Sequence, residues 1–523
     1  MTALREETLD RLGNGNFDLL VIGAGIIGAR IAFEAARAGL SVAMVDAGDF
    51  GGATSSASSK LIHGGFRYLP MGDLHLVWES QRERRALMGR VAPHLVRPLP
   101  MVLAAYRGGP RGPITAAAGV LAYGALCGFR GTGVTLVGTR AARHLVPPLR
   151  TEGLSVCGLF EEGQTNDARL VLDTVAAAAG LGATVLNHAR VVGLEHPHGR
   201  LARASVQGRN GEGVVEVRFR FAVNASGPWV DAVRQLEDET SQPMARLSKG
   251  IHVLLETRSE WRAGVVVPVE DGRVTMALPW QGMLMLGTTD ADYEGKPADC
   301  SVSPTEVEQV LSEASLALPP DVVRAGAVRF SFAGLRVLPL GADTTANTHR
   351  EHLVQTGRFG MVSIAGGKLT THRRIALEAL HRLPDPRLAG LNLVDVPLPQ
   401  SSSTLQELAD RDTDPDVVTH LARIYGRDSF TVMGQRMRHR DALERIHPGG
   451  PDVWAQVYHA VEKEWATTVE DVLRRRTTVA VRGLTSPAVR ADVGRVLATA
   501  TKSCHRAPAQ RPGLRLVRPP VRA

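Results

Sequence analysis

The stretch FDLLVIGAGIIGARIAFEAARAGLSVAMVDAGDF (17–50) decides the fold. Leu19–Ile22 is a short apolar run that reads as a buried strand. Gly23, Gly25 and Gly28 then give G-x-G-x-x-G around Ile26 and Ile27, and Ile31–Ala38 continues with helical spacing. In such a turn the first glycine permits the bend and the second lets the backbone approach a pyrophosphate. The third lets helix and strand pack closely. The phosphates sit at the helix N-terminus, where free N–H groups and the helix dipole favour negative charge. A second strand, Ser41–Val45, ends in Asp46, placed ~20 residues on, where an acid accepts ribose hydroxyls. A glycine-rich turn of an unrelated α/β domain explains the glycines alone. Strand, helix, second strand and terminal acid in this order point to a bound dinucleotide.

The length of 523 residues implies at least two domains, since single cores rarely exceed ~250–300 residues. The net charge of +8 is concentrated at the end. Residues 501–523 hold six basic side chains (Lys502, Arg506, Arg511, Arg515, Arg518, Arg522) and no acid, and taking six from +8 leaves +2 for the rest. This Pro-rich tail reads as a disordered extension; binding to nucleic acid or anionic lipid is the other reading, and no nucleic acid is expected as a partner. Four scattered cysteines, with no C-x-x-C and no H-E-x-x-H, argue against structural zinc and a disulfide scaffold. No metal is expected. The uncharged apolar stretch Ile114–Phe129 has sixteen residues, short of the ~20 that cross a bilayer. It reads as a buried or partly buried helix, or as a surface that dips into one leaflet.

Along the chain, residues 1–16 read as a loose leader and the nucleotide fold starts at Phe17. Prolines and glycines around 94–113 suggest an excursion from the first domain. Residues 167–180 look helical, Thr184–Leu194 looks like one strand, and AVNASGPWV (222–230) like a buried strand ending in a tight turn. Residues 245–300 alternate like sheet. Residues 359–384 repeat the opening logic, with FGMVSIAG as strand, GGK as turn and LTTHRRIALEAL as helix. From about 400 the sequence turns helical and Arg-rich.

After the glycine turn comes TSSASSKLIHGGFRYL (54–69). The hydroxyls of Thr54, Ser55, Ser56 and Ser59 would let phosphates and a ribityl chain lie close to the backbone, with Lys60 as a point charge. A polar loop with incidental charge is the plainer reading. Only six of the 61 basic residues are lysine, and two of them, Lys60 and Lys368, stand beside glycine- or serine-rich turns. The GGKLTTHR turn puts a second helix N-terminus where an anion could sit. A reduced flavin, which gains charge near N1, profits from that and a nicotinamide does not. An ordinary strand-to-helix turn also fits.

These residues closely resemble the signature of the FAD-dependent, quinone-linked glycerol-3-phosphate dehydrogenases. The resemblance extends through APHLVRPLP (92–100), NDARLV (166–171), VNASGPWV (223–230), LGTTDADYEG (286–295), AGLRVL (333–338) and GGKLTTHR (366–373), in order from about 17 to 480. It implies an α/β fold: a Rossmann-type FAD-binding domain, a sheet-rich substrate domain and an all-helical C-terminal domain. The expected boundaries are a flavin oxidoreductase core at 17–385, a helical domain at 400–500 and a tail at 501–523. FAD-binding portions fall at about 17–95, 150–235 and 325–385, and substrate portions at about 96–149 and 236–324.

The resemblance implies further FAD contacts at Val191, Ser226, Gly227, Gly367, Lys368, Leu369 and Thr370. It implies substrate contacts at Arg67, Arg336 and Arg350, whose planar forks suit phosphate, with Tyr68 and Thr289 as hydrogen-bonding groups. Oxidation at C2 needs a base near neutral pKa, and His252 and His63 stand in the implied positions beside substrate or flavin, with Arg336 next to them.

The implied reaction takes sn-glycerol 3-phosphate to dihydroxyacetone phosphate by hydride transfer to FAD. Electrons pass on to membrane quinone from a cytoplasmic protein held peripherally on the inner face of the cell membrane. A homodimer is an open association. The alternatives are a glycerol-3-phosphate oxidase that uses O2 and gives peroxide, an amine-oxidising flavoprotein of the same fold, and a catalytically dead FAD-binding scaffold. Three departures bear on fine specificity: His372 where the family usually has tyrosine, Ile251 where it has serine, and a different FRYLPMGDLH (66–75).

Overall fold

The computed structural model describes residues 3–65, 74–110, 112–126, 134–209, 211–269, 273–340, 352–401 and 413–504. Its first sheet grows from the opening strand, Asn16–Ile22, whose last four residues are buried. That strand runs parallel to Val42–Val45 on one side and to Val214–Asn224 on the other. Thr184–Leu186 and Val362–Gly366 extend the parallel order outward, and His352–Thr356 closes one edge antiparallel. The helix Ile26–Arg37 buries ten of its twelve residues. It lies between the helices Asp167–Gly180 and His372–His381. Continuous apolar strands are what a parallel sheet covered by helices requires.

A second sheet has ten strands, in the order Ala291–Tyr293, Ala245–Glu256, Met283–Gly287, Val274–Trp280, Gly264–Pro268, Arg97–Tyr106, Leu154–Gln164 and Leu61–Ile62 along its main path. Val328–Pro339 pairs antiparallel with Ala245–Glu256 over almost its whole length. The excursion expected at 94–113 is the strand Arg97–Tyr106 of this sheet.

Four expectations differ from what is observed. Residues 3–14 form a helix where a loose leader was expected. Leu9 and Leu12 are buried in it, and Arg5 donates to Glu212 and to the Asn187 carbonyl, each at 2.8 Å. Charge at Arg5, Glu6, Glu7, Asp10 and Arg11 hides this short apolar face in the sequence. Residues 184–194 make two strands, Thr184–Leu186 and Arg190–Glu195, with His188 in the left-handed region (φ 47°) between them. The strands Leu154–Gln164 and Val328–Pro339, expected in FAD-binding portions, hydrogen-bond into the substrate sheet, because membership of a sheet is fixed by partners distant in sequence. The helix after GGK begins at His372, three residues later than Leu369.

The C-terminal segment is helical, with Pro415–Tyr425, Trp454–Lys463 and Pro487–Cys504 as its longer helices. It docks on the dinucleotide domain through buried charges. Arg475 and Arg476 both bind Asp49, and Arg476 Nη2 reaches Asp49 Oδ1 at 2.9 Å. Arg169 joins Asp173 at 2.8 Å and Glu464 at 2.6 Å, and His188 lies 3.0 Å from Asp471.

Candidate active site

The glycine turn is built as its sequence requires. Gly23 has φ 99°, and a Cβ there would lie 2.6 Å from the Ala225 carbonyl. A Cβ on Gly28 would collide with the Gly23 carbonyl, and Gly25 caps the helix in an extended conformation. The first turn of a helix carries N–H groups without intrahelical acceptors, and here that turn is Ile26–Gly28. Asp46 lies beside it: Oδ2 accepts the Ala24 N–H at 2.6 Å and Oδ1 accepts the Gly48 N–H at 2.8 Å. Burial pushes its carboxyl above the usual range, against those two hydrogen bonds. Asp46 thus orders the turn with lone pairs left for ribose hydroxyls.

The second turn meets the first. Gly366 and Gly367 have φ 83° and 100°. A Cβ on Gly367 would lie 2.6 Å from Ile375 and 3.1 Å from Ile27, the residue inside the first turn. Thr370, fully buried, donates to the His63 carbonyl at 3.4 Å. Ser226 donates to Asn224 at 2.6 Å, and Gly227 has φ 59°, which completes the bend at the end of Val214–Asn224. Val191 is buried in Arg190–Glu195, in one apolar cluster with Ile22 and Val45. Lys368 and Leu369 stand in the turn, and the Leu369 carbonyl accepts His372 Nδ1–H at 2.7 Å. Burial and the Arg30 cation hold His372 down to about 3. It is a neutral packing residue, so the tyrosine-to-histidine departure brings no proton carrier near neutral pH.

Residues 54–60 lie across the substrate sheet. Thr54 donates to the Leu335 carbonyl at 2.7 Å, Ser55 Oγ accepts the Ile26 N–H at 3.0 Å, and Ser56 donates to Ala53 at 3.4 Å. Ser59 Oγ is 2.9 Å from His252 Nε2. The point charge expected of Lys60 for cofactor phosphates is directed elsewhere. Its ammonium is buried, 2.8 Å from both Asp167 oxygens and 2.6 Å from the Ser56 carbonyl. Burial lowers its pKa against the pull of Asp167. The reason is desolvation: an ammonium taken from water needs a carboxylate, and Asp167 of NDARLV supplies it.

Two neighbouring strands carry the polar groups. Ser248, Gly250 and His252 on one face Arg336, Gly334 and Phe332 on the other, pair by pair. Side chains alternate along strands, so these six share one face. The two glycines open a floor between His252 and Arg336. A Cβ on Gly250 would lie 2.7 Å from Arg336 Nη2, and one on Gly334 would lie 2.4 Å from the Ala57 carbonyl. His252 stacks on Phe332 at 5.0 Å. Burial, then the cations Lys60 and Arg336, lower its pKa to about 3. Arg336 is ion-paired to Asp290 at 2.8 Å and donates to Thr288 Oγ1 and the Thr289 carbonyl, both at 3.2 Å. Thr289 is buried and its hydroxyl accepts the Ile251 N–H at 3.1 Å, which places it behind Arg336.

The structure therefore brings His252, Arg336, Ser59, Thr370 and both glycine turns together, with the His63 backbone at the junction. Arg67, Tyr68 and Arg350 lie outside the described residues. Sequence reasoning missed Asp167, Asp290 and the glycine floor. The period-two repeats S-x-G-x-H (248–252) and F-x-G-x-R (332–336) are the signal that marks the floor. Among the described residues, Asp49, His188 and Asp471 bring ligand-type atoms within 4.8 Å of one another, and the guanidiniums of Arg475 and Arg476 already neutralise that cluster.

A dinucleotide turn beside a sheet-borne histidine and arginine defines a flavin-dependent oxidoreductase. Residues 18–373 match the FAD dependent oxidoreductase family model, and 362–510 match the C-terminal domain of alpha-glycerophosphate oxidase. A probable mitochondrial glycerol-3-phosphate dehydrogenase of Caenorhabditis elegans is 34% identical, covering 91% of this chain and 69% of that one. A glycerol-3-phosphate dehydrogenase of a Synechocystis species is 31% identical, covering 90% of each. The solved glycerol-3-phosphate dehydrogenase of Bacillus halodurans complexed with FAD superposes with a TM-score of 0.73 at 26% identity, over 95% of this chain and 97% of that one. The chain belongs to the FAD-dependent glycerol-3-phosphate dehydrogenase family, and FAD is its cofactor. The tight turn at Gly23–Gly28, which opens the helix Ile26–Arg37 with Asp46 beside it, fits that group.

Proposed function

We propose that the protein oxidises sn-glycerol 3-phosphate at C2 to dihydroxyacetone phosphate and delivers the electrons to membrane quinone. The observation that carries this reading is the shared face of His252 and Arg336, separated by a glycine floor and roofed by residues 54–59. Bound FAD supplies the hydride acceptor. Arg336 offers a planar fork to phosphate oxygens, and Asp290 holds it in place until the dianion arrives. His252 is neutral and hydrogen-bonded at Nε2 by Ser59. It is poised to take the hydroxyl proton, and a phosphate dianion beside Arg336 raises its basicity toward the range a base needs. His63, Arg67, Tyr68 and Arg350 complete the substrate set.

Quinone as acceptor implies contact with a bilayer. No helix among the described residues is long and apolar enough to cross one. Helix Pro113–Leu126 carries no charge and leaves Ile114 84% and Leu121 48% exposed. The helix Leu74–Ala86 touches it and exposes Leu74 and Trp78. Arg82, Arg85 and Arg107 are exposed in the same region of the chain. An apolar surface with basic neighbours suits peripheral attachment to the anionic inner face of the cell membrane. In this reading the protein is cytoplasmic.

The C-terminal match to alpha-glycerophosphate oxidase supports a second reading, in which O2 reoxidises the flavin. Anaerobic addition of glycerol 3-phosphate to the FAD-loaded protein should bleach the flavin band. Reoxidation should then be fast with a quinone analogue and slow in air. No bleaching overturns the substrate, and rapid peroxide formation overturns the acceptor.

A further inference from the structure

Beneath the His63–Gly64 turn lies a buried polar cluster that the reaction above does not use. Glu162, on Leu154–Gln164, is 3% exposed, and its Oε2 accepts the Gly64 N–H at 2.5 Å. Tyr123, from the helix Pro113–Leu126, donates to Glu162 Oε1 at 3.4 Å and accepts from Gln81 Nε2 at 2.5 Å. Arg84, on the same helix as Gln81, reaches Glu162 Oε2 at 3.3 Å and Gln81 Oε1 at 2.9 Å. The turn rests directly on this cluster, since a Cβ on Gly64 would lie 2.3 Å from both Gln81 Nε2 and the Tyr123 oxygen. From above, Thr370 of the GGK turn holds the His63 carbonyl. His63–Gly64 is thus clamped between the flavin-side turn and Glu162.

We propose that Glu162 is a positioning residue for glycerol 3-phosphate oxidation, setting the His63–Gly64 turn against Thr370 through the Gly64 N–H, with Tyr123, Gln81 and Arg84 fixing its carboxyl. The proposal rests on the substrate reading above. The facing groups are Arg84 and Gln81 from one helix, Tyr123 from the next, Leu99 from the paired strand, and Gly64 with its neighbour His63 from the turn. An uncharged acceptor would satisfy Gly64 without the cost of burying a charge. A carboxyl here differs because its hold changes on ionisation: a carboxylate accepts far more strongly than a neutral acid. Burial pushes Glu162 up to about 7, opposed by Arg84 and the Gly64 N–H. The turn is therefore gripped above neutrality and loosened below it.

The test uses full-length, FAD-loaded protein. Turnover of glycerol 3-phosphate with a soluble quinone analogue is followed from pH 5.5 to 9, with FAD content and melting temperature measured alongside. In the wild type KM should fall as pH rises through about 7. Glu162→Gln should hold KM about tenfold higher at pH 8, the effect of one charge-assisted hydrogen bond. It should lose that pH step beyond the substrate's own titration, and keep kcat and FAD. Tyr123→Phe should raise KM less and keep the step. A Glu162→Gln profile equal to wild type overturns the proposal; should Glu162→Gln lose FAD or the fold, Tyr123→Phe decides, and a Tyr123→Phe KM equal to wild type at pH 8 overturns it. A wild type that glycerol 3-phosphate does not bleach overturns the substrate reading itself, and the positioning role with it.

Discussion

Ser59 Oγ lies 2.9 Å from His252 Nε2, across 193 residues of sequence. This contact fastens the segment that follows the dinucleotide turn onto the strand that carries the proposed base. Ser59 holds the Nε2 edge of the imidazole, while Phe332 stacks against its face at 5.0 Å.

His252→Asn should cut the rate of flavin reduction by roughly 10²–10⁴, the range of a lost general base, while FAD content stays at the wild-type level. Because the imidazole titrates at about 3, it stays neutral from pH 5 to 8 in the free enzyme. Acid inactivation in that range should therefore persist unchanged in slope. A variant reduced at the wild-type rate would remove His252 from the chemistry.

Arg336→Lys keeps the charge and loses the fork that spans Thr288 Oγ1, the Thr289 carbonyl and Asp290. KM for glycerol 3-phosphate should rise roughly tenfold to a hundredfold, as expected for one or two charge-assisted hydrogen bonds. The check is the concentration dependence of flavin bleaching; an unchanged KM would place the phosphate elsewhere.

Gly23→Ala forces a side chain into φ 99° and puts its Cβ 2.6 Å from the Ala225 carbonyl. The purified variant should contain little FAD and show a lowered melting temperature. Full flavin occupancy would mean that this turn does not approach the pyrophosphate.

Asp49→Asn leaves the Arg476 guanidinium buried without its carboxylate, which costs about 3–5 kcal/mol. Urea unfolding should shift accordingly and the C-terminal helices should become more protease-sensitive. A related pH effect has a definite sign. Asp452, bonded to His420 at 2.9 Å and to Thr478 at 2.6 Å, is held at about 2. Its stabilisation is complete above the ordinary carboxylate pKa near 4 and is lost as pH falls toward 2, an effect of about 2 kcal/mol. A melting temperature that does not fall between pH 5 and 3 would contradict this.

Trp78→Glu places a charge on a residue that is 59% exposed and bordered by Arg82. Cosedimentation with anionic phospholipid vesicles should drop severalfold, while anaerobic bleaching by glycerol 3-phosphate stays the same. Equal cosedimentation would exclude this face from the membrane contact.

The dinucleotide turn, the strand ending in Asp46, the family and its cofactor are all legible in the residues alone. Local geometry dictates the turn, since G-x-G-x-x-G works through bends and helix ends that neighbouring residues create; the family and its cofactor follow from the resemblance of the motifs. Tertiary structure alone decided three things. It turned Lys60 from an expected phosphate ligand into the buried partner of Asp167, because burial makes an ammonium seek a carboxylate wherever the chain supplies one. It made residues 3–14 a helix by giving Leu9 and Leu12 a surface to cover. It also aligned Ser248–Gly250–His252 with Phe332–Gly334–Arg336, since strand register is set by pairing across the sheet and not by either strand alone.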